Sequence, residues 1–181
     1  MPEFQTTVNN NLVVRGSGKL EVAPYTSGTP AWVNVGAIKS LVTNEELTVS
    51  EEENDNADST SRVSKQEVTI SFIQLELLNL DVWEIMRGSI DTIIQDSNET
   101  KILSGNKSDV PKFMVRITTK NDSKTLYFMA YNCTIKSGFT FEYQADEAED
   151  ARIQNPLEIL CKTDSNRNGL VFEIESNYFV G

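Results

Sequence analysis

From Leu12 to Glu175 the chain alternates short runs of period-two hydrophobicity with clusters of turn formers, the pattern of a β-rich fold. Gly18–Val22 reads as a strand ended by the turn-rich PYTSGTP at Pro24–Pro30. Trp32–Leu41 and Leu47–Ser50 continue as extended structure. In Glu67–Leu75, Val68, Ile70 and Phe72 share one face, with Thr69 and Ser71 opposite. The phase slips at Ile73, since Ile73, Leu75 and Leu77 take the other parity, which signals a bulge or the approach to a different element.

That element is a helix over about 78–87. Asn79 is its expected N-cap, Asp81 lies in the first turn, Arg87 in the last, and Gly88 follows as the C-cap. Leu78, Val82, Ile85 and Met86 form one apolar stripe, widened by Leu80 and Trp83, as in a helix laid against a sheet. Strands return at Ser89–Gln95 and Thr100–Leu103, on either side of the polar Asp96–Glu99. Phe113, Val115 and Ile117 alternate with Met114, Arg116 and Thr118, and Asn121–Lys124 turns the chain. Leu126–Ile135 is apolar on both parities, which suits a central strand covered on both faces. Phe139, Phe141 and Tyr143 line a further strand, and Leu157–Lys162 with Leu170–Glu175 reads as a last hairpin around DSNRNG. The expected fold is mainly β: an antiparallel β-sandwich or barrel with one packed helix. At 181 residues one domain, 1–181, is expected, with an N-terminal arm 1–12 and a long acidic loop 44–62.

Composition changes little in this picture, but charge does. A hydrophobic share of 39% and a charged share of 24% are ordinary for a globular chain. No apolar run approaches the ~20 residues that cross a bilayer, and MPEFQTTVNNNLVV lacks the regions of a secretory signal. The net charge is −11 and unevenly placed. Glu45, Glu46, Glu51, Glu52, Glu53, Asp55 and Asp58 fall between Asn44 and Ser61 with no base among them. Glu142, Asp146, Glu147, Glu149 and Asp150 make a second run, so the two runs carry the acidity and the rest is near neutral. That sign disfavours specific nucleic-acid binding and would repel phosphate.

The search for chemistry is mostly negative. Without histidine, Ser-His-Asp, Cys-His and most zinc arrangements are excluded, and no enzyme is expected. GSGK at Gly16–Lys19 lacks the upstream glycine and the following Ser/Thr of a phosphate loop. Glu52 and Glu53 sit in the acidic stretch with nothing to hold or desolvate a general acid. Asp164, Asn166, Asn168, Gly169 and Glu175 match a calcium-loop pattern. The strand-like LVFEIE that follows favours an Asn/Gly-rich turn instead, so neither a metal nor a cofactor is expected. Cys133 and Cys161 lie in expected strands without CxxC spacing, as buried free thiols or as a disulfide. Asn98, Asn106, Asn121 and Asn132 match the glycosylation pattern, which an Asn-, Ser- and Thr-rich chain meets by coincidence.

Three segments carry a family resemblance. GSGKLEVAPYTSGTPAWVNVGAIKSLVTNEE, with its Trp32–Gly36 step, VTISFIQLELLNLDVWEIMRG, and NPLEILCKTDSNRNGLVFEIE follow one another as strand–turn–strand, strand–helix and closing strands. In that order the chain resembles the major tail tube protein of long-tailed (siphovirus-type) bacteriophages, related in fold to contractile-tail and secretion-system tubes. The resemblance covers most of the chain as a pattern of elements. It implies a structural subunit that assembles with itself into hexameric rings, stacked around a lumen that conducts DNA without binding it specifically. It also implies tape-measure and tail-end proteins as partners, no membrane, assembly in the host bacterial cytoplasm and a place in the virion tail. The acidic segment 44–62 would order on stacking and contact neighbouring subunits. The alternative is a β-sandwich adhesin or carbohydrate-binding module, calcium-dependent or not, for which exposed Trp32, Tyr127 and Tyr131 would be the aromatic candidates.

Overall fold

A computed structural model describes residues 18–53, 59–76, 79–88, 92–95, 100–103, 109–121, 124–138, 142–143 and 153–177. Along the chain these form β1 (Gly18–Pro24), β2 (Val33–Asn34), β3 (Ile38–Glu53), β4 (Ser59–Gln74) and α1 (Leu80–Arg87). Then come β5 (Thr92–Gln95), β6 (Thr100–Leu103), β7 (Phe113–Asn121), β8 (Lys124–Ile135), β9 (Glu142–Tyr143), β10 (Ile153–Lys162) and β11 (Phe172–Ser176). The fold is mainly β, antiparallel, with a packed helix, as the alternation predicts. Seven strands lie in the order β2-β1-β7-β8-β10-β4-β3, while β11 pairs with β8, β9 with β10, and β5 with β6 in a separate ribbon.

Alternation puts the core on one face of this sheet. Leu20 and Val22 of β1, Val115 and Ile117 of β7, Val68, Ile70 and Phe72 of β4, and Leu157 and Ile159 of β10 belong to one buried cluster. The helix closes that cluster with Val82 and Met86. Its expected caps are present: the Asn79 side chain accepts from the Val82 N–H, and the Gly88 N–H donates to the Glu84 carbonyl. Asn79 also donates to the Asn34 carbonyl at 2.9 Å, tying the helix start to β2. Gly36, at φ +93°, turns the chain between β2 and β3, where a Cβ would collide with the Glu76 carboxylate. The opposite face carries a smaller cluster of Ala23, Met114 and Tyr131 with Tyr25, Trp32 and Met129 packed against it. β8 is therefore covered on both faces, as its two apolar parities require.

Two expectations need correction. The segment 44–62 is not a loop. β3 and β4 are each 16 residues long and pair from Ile38↔Gln74 out to Glu53↔Ser59, so only 54–58 lies between them, outside the described residues. The acids hid a genuine alternation, in which Leu47 and Val49 continue one face of the strand. Second, Leu157–Lys162 and Leu170–Glu175 do not pair with each other as a hairpin. β10 pairs with Ile135–Asn132 and β11 with Ala130–Leu126 on the same edge of β8. The intervening DSNRNG is an excursion within one interrupted lane, because β8 is long enough to template both pieces. The phase slip read at Ile73 comes just before β4 ends at Gln74 and the chain moves on to α1, and the register opposite it jumps between Lys39 and Val42, where Ser40 takes φ +55°. The arm 1–12, Leu77, Leu78, Phe139 and Phe141 lie outside the described residues.

Met86 is 3% exposed beneath the helix and Glu84 is exposed on its far side. Met86→Ala is expected to lower unfolding free energy by about 2–4 kcal/mol in urea titration, and Glu84→Ala by under about 0.5 kcal/mol.

Candidate assembly surface

The β3–β4 ribbon leaves the body at a fork. β10 accompanies β4 only as far as Cys161↔Val68, and beyond that point, among the described residues, β3 and β4 pair only with each other. From Glu46 to Glu53 the ribbon extends about 23 Å at ordinary strand rise. A cleft of about 340 Å³ opens at the fork, lined by Val63, Lys65, Glu67, Lys162 and Thr163. Among the described residues the outer edge of β3 ends the sheet order, and β11 pairs only with β8.

Pair register fixes which way each ribbon residue points. Glu45↔Val68, Leu47↔Gln66 and Val49↔Val63 continue the core face outward. Leu47, Val49 and Val63 are 52%, 54% and 57% exposed, so a half-exposed apolar strip runs on past the body. Ile174 of β11, on the same face by its pairing with Phe128, is also exposed. The other ribbon face is charged. Glu46 stands directly opposite Glu67, a like-charge pair that would repel. Lys65 offsets it with an ion pair to Glu67 at 2.9 Å, and Lys162 approaches Glu67 at 3.9 Å. That hydrogen bond and the Glu67 charge hold the Lys65 ammonium above its ordinary range.

Of the acids expected in assembly, Glu45 and Glu46 stand at the ribbon's base and Glu51, Glu52 and Glu53 continue β3 to its end. Glu45 accepts from Gln66 Nε2 at 2.6 Å. Asp55 and Asp58 lie outside the described residues, as do Asp146, Glu147, Glu149 and Asp150 of the second run.

The second sheet face holds an ionic cluster with no prior sign in the sequence beyond the parity of its members. Glu21, 6% exposed, receives Lys19 Nζ at 2.7 Å, Arg116 Nε at 2.8 Å and the Thr118 hydroxyl at 3.4 Å. Burial pushes the Glu21 carboxyl up, but the hydrogen bonds and charges of Lys19 and Arg116 outweigh it and hold the group below its ordinary value. The Arg116 guanidinium also lies 4.6 Å from the Trp32 ring centroid and 5.7 Å from that of Tyr127. Trp32, Tyr127 and Tyr131 thus share a face, and Trp32 is half-buried there rather than in the main core. Arg167 covers Tyr131 at 4.0 Å. Burial and a hydrogen bond to the Glu173 carboxylate push the Tyr131 phenol up to about 12, so it stays a neutral donor.

The calcium-loop letters have another use. Asp164, 3% exposed, caps a single 3-10 turn at Ser165–Arg167. Its Oδ1 accepts from the Tyr25 hydroxyl at 2.9 Å and from Asn166 N at 3.0 Å, and its Oδ2 faces Arg167 Nε at 3.7 Å. Asn168 and Gly169 both take positive φ to close the turn, and Asp164 bridges to Leu170 at its base. Glu175 is out on β11, opposite Tyr127 and exposed. Among the described residues no group of three or more acidic or cysteine side chains could hold a metal ion, and no helix is long and apolar enough to cross a membrane.

No family model matches the chain, and no curated protein matches it. Among solved structures, it is similar to a chain of the anti-feeding prophage baseplate, solved by cryo-EM with 6-fold symmetrisation. The superposition covers 90% of this chain and 95% of that one at a TM-score of 0.38 and 10% identity.

The Glu21 cluster yields a signed pH dependence. Its carboxyl is depressed in the folded state, so its stabilisation is full above the unfolded value of about 4.5 and is lost as pH falls through the lower folded value. Glu21→Gln is expected to cost about 1–3 kcal/mol at pH 7, with the gap to the natural chain closing in melts taken below about pH 4.

Proposed function

We propose that the protein is a self-assembling structural subunit of a phage-type tail tube, forming rings that stack around a DNA-conducting lumen. The observation that carries this reading is the amphipathic β3–β4 ribbon, with Leu47, Val49 and Val63 exposed on the continuation of the core face. A monomer gains nothing by holding an apolar strip in water, whereas a neighbouring copy laid on it buries that strip and gives the open β3 edge a partner. Finishing the burial of three half-exposed aliphatic side chains is worth about 1 kcal/mol each. Such contacts are weak singly and decisive when a closed ring repeats them. The resemblance of the element order to tail tube proteins supplies the ring, with six subunits as its ordinary number, and the tape-measure and tail-end partners.

In this reading the protein works in the virion tail after assembly in the host cytoplasm, needs no cofactor and performs no catalysis. A net charge of −11 keeps DNA from adhering to the tube, a use of field rather than contact. One observation favours the alternative of a carbohydrate-binding module: Trp32, Tyr127 and Tyr131 share the second face. Against it, Arg116 and Arg167 already lie over those rings, where a sugar would have to stack.

The test is light scattering across a concentration series of the full chain, with negative-stain microscopy of the concentrated sample. Rings or tubes of uniform width are expected. Leu47→Glu combined with Val49→Glu should abolish them while moving the melting temperature by no more than about 2 °C, because both sites are exposed. A natural chain that stays monomeric at every concentration, or a double variant that polymerises normally, would overturn the proposal.

A further inference from the structure

Cys133 on β8 and Cys161 on β10 are direct register partners. Both are wholly buried in the main core, and both are free thiols. Their pair class can be read from the neighbouring ladder. Lys136 N donates to the Glu158 carbonyl at 2.8 Å, so Glu158 and Lys136 form a hydrogen-bonded pair. Classes alternate along an antiparallel ladder, and the register runs evenly from Ile159↔Ile135 to Lys162↔Asn132. Cys161 and Cys133 are therefore a non-hydrogen-bonded pair, the class in which opposing Cα atoms approach to about 4.5 Å and side chains are closest. A disulfide spans Cα separations of about 4.4–6.8 Å, so this pair can be joined with little backbone movement.

We propose that Cys133 and Cys161 form a cross-strand disulfide when the chain meets an oxidising medium, a modification site that clamps β8 to β10. Its place gives it a consequence. Cys161 is also the last β10 residue to pair with β4, opposite Val68, so the bond would sit at the root of the fork from which the ribbon departs. The inference is independent of tube assembly.

The chemistry is thiol–disulfide exchange with a small disulfide such as oxidised glutathione. One cysteine thiolate attacks a sulfur of the small disulfide, forming a mixed disulfide and expelling one small thiolate. The second cysteine thiolate attacks the protein sulfur, forming the intramolecular bond and expelling the other small thiolate. The two protons lost by the cysteines go to the two released thiolates, and two electrons pass from the protein to the small disulfide. Burial, reinforced by the neighbouring Cys161 thiol, pushes the Cys133 thiol well above its ordinary value. Native thiolate is therefore scarce, and exchange proceeds during folding or when β8 and β10 part.

The full chain, refolded from guanidinium with oxidised and reduced glutathione in excess, tests this by intact mass after alkylation under denaturing conditions. The expected product is a monomer two hydrogens lighter than the reduced chain, with no alkylated cysteine. Its melting temperature should exceed that of the dithiothreitol-treated protein by roughly 5–10 °C, since the bond closes a loop of moderate length. Cys133→Ala and Cys161→Ala should each remove the difference between oxidised and reduced samples. Chains that emerge with both thiols alkylated, with glutathione on both cysteines, or as disulfide-linked dimers would overturn the proposal, and these mass readouts do not depend on either variant folding.

Discussion

β8 presents two rows of backbone donors and acceptors along 12 residues, and each row must be paired where it is buried. β7 satisfies one row along its length. The other row is divided, with β10 taking Asn132–Ile135 and β11 taking Leu126–Ala130. The rest of the architecture depends on that division. Because β10 leaves its lane after Lys162, β4 loses its inner neighbour just beyond Val68, and the two long strands run on as a free ribbon.

The break in the lane is held by polar groups that would be costly to bury alone. Asp164 meets the Tyr25 hydroxyl, the Asn166 amide and the Arg167 guanidinium, and Arg167 in turn reaches the Thr26 carbonyl and covers Tyr131. The Asp164 Oδ1 is satisfied by hydrogen bonds, whereas the buried Oδ2 makes none and has only the Arg167 charge 3.7 Å away, so this acid is the hub of the turn at some cost. Glu21 is likewise held on the other side of the second face, between Lys19 and Arg116. β3 carries Glu45, Glu46 and Glu51–Glu53 with Lys39 near its start.

An edge strand with an exposed apolar strip is a hazard to a monomer and a resource to an assembly. Here the hazard is moderated by the bulge between Lys39 and Val42, which disturbs the edge near the body, and by acidic residues along β3. Both devices oppose indiscriminate pairing and leave room for a partner that matches the ribbon's register and charge. The tube proposal turns on that balance.

Local rules alone determined a good deal. Period-two alternation identified β7 and the inner half of β4, an apolar run marked β8, and the Asn79 and Gly88 caps are the ones that bound α1, because these features depend on neighbours a few positions away. The same rules misread 44–62, where runs of Glu, Asn and Ser imitate a loop while Leu47 and Val49 keep strand parity and a register shift between Thr48 and Val49 sets Val63 opposite Val49. They also made a hairpin of β10 and β11, since strand–turn–strand letters are alike whether two strands pair with each other or share a third. Only the tertiary structure decided those points, along with the Glu21–Arg116 contact and the facing of Cys133 and Cys161. Each depends on which distant strand lies alongside, and strand partnership is set by the burial and backbone pairing of the whole sheet rather than by any short stretch of sequence.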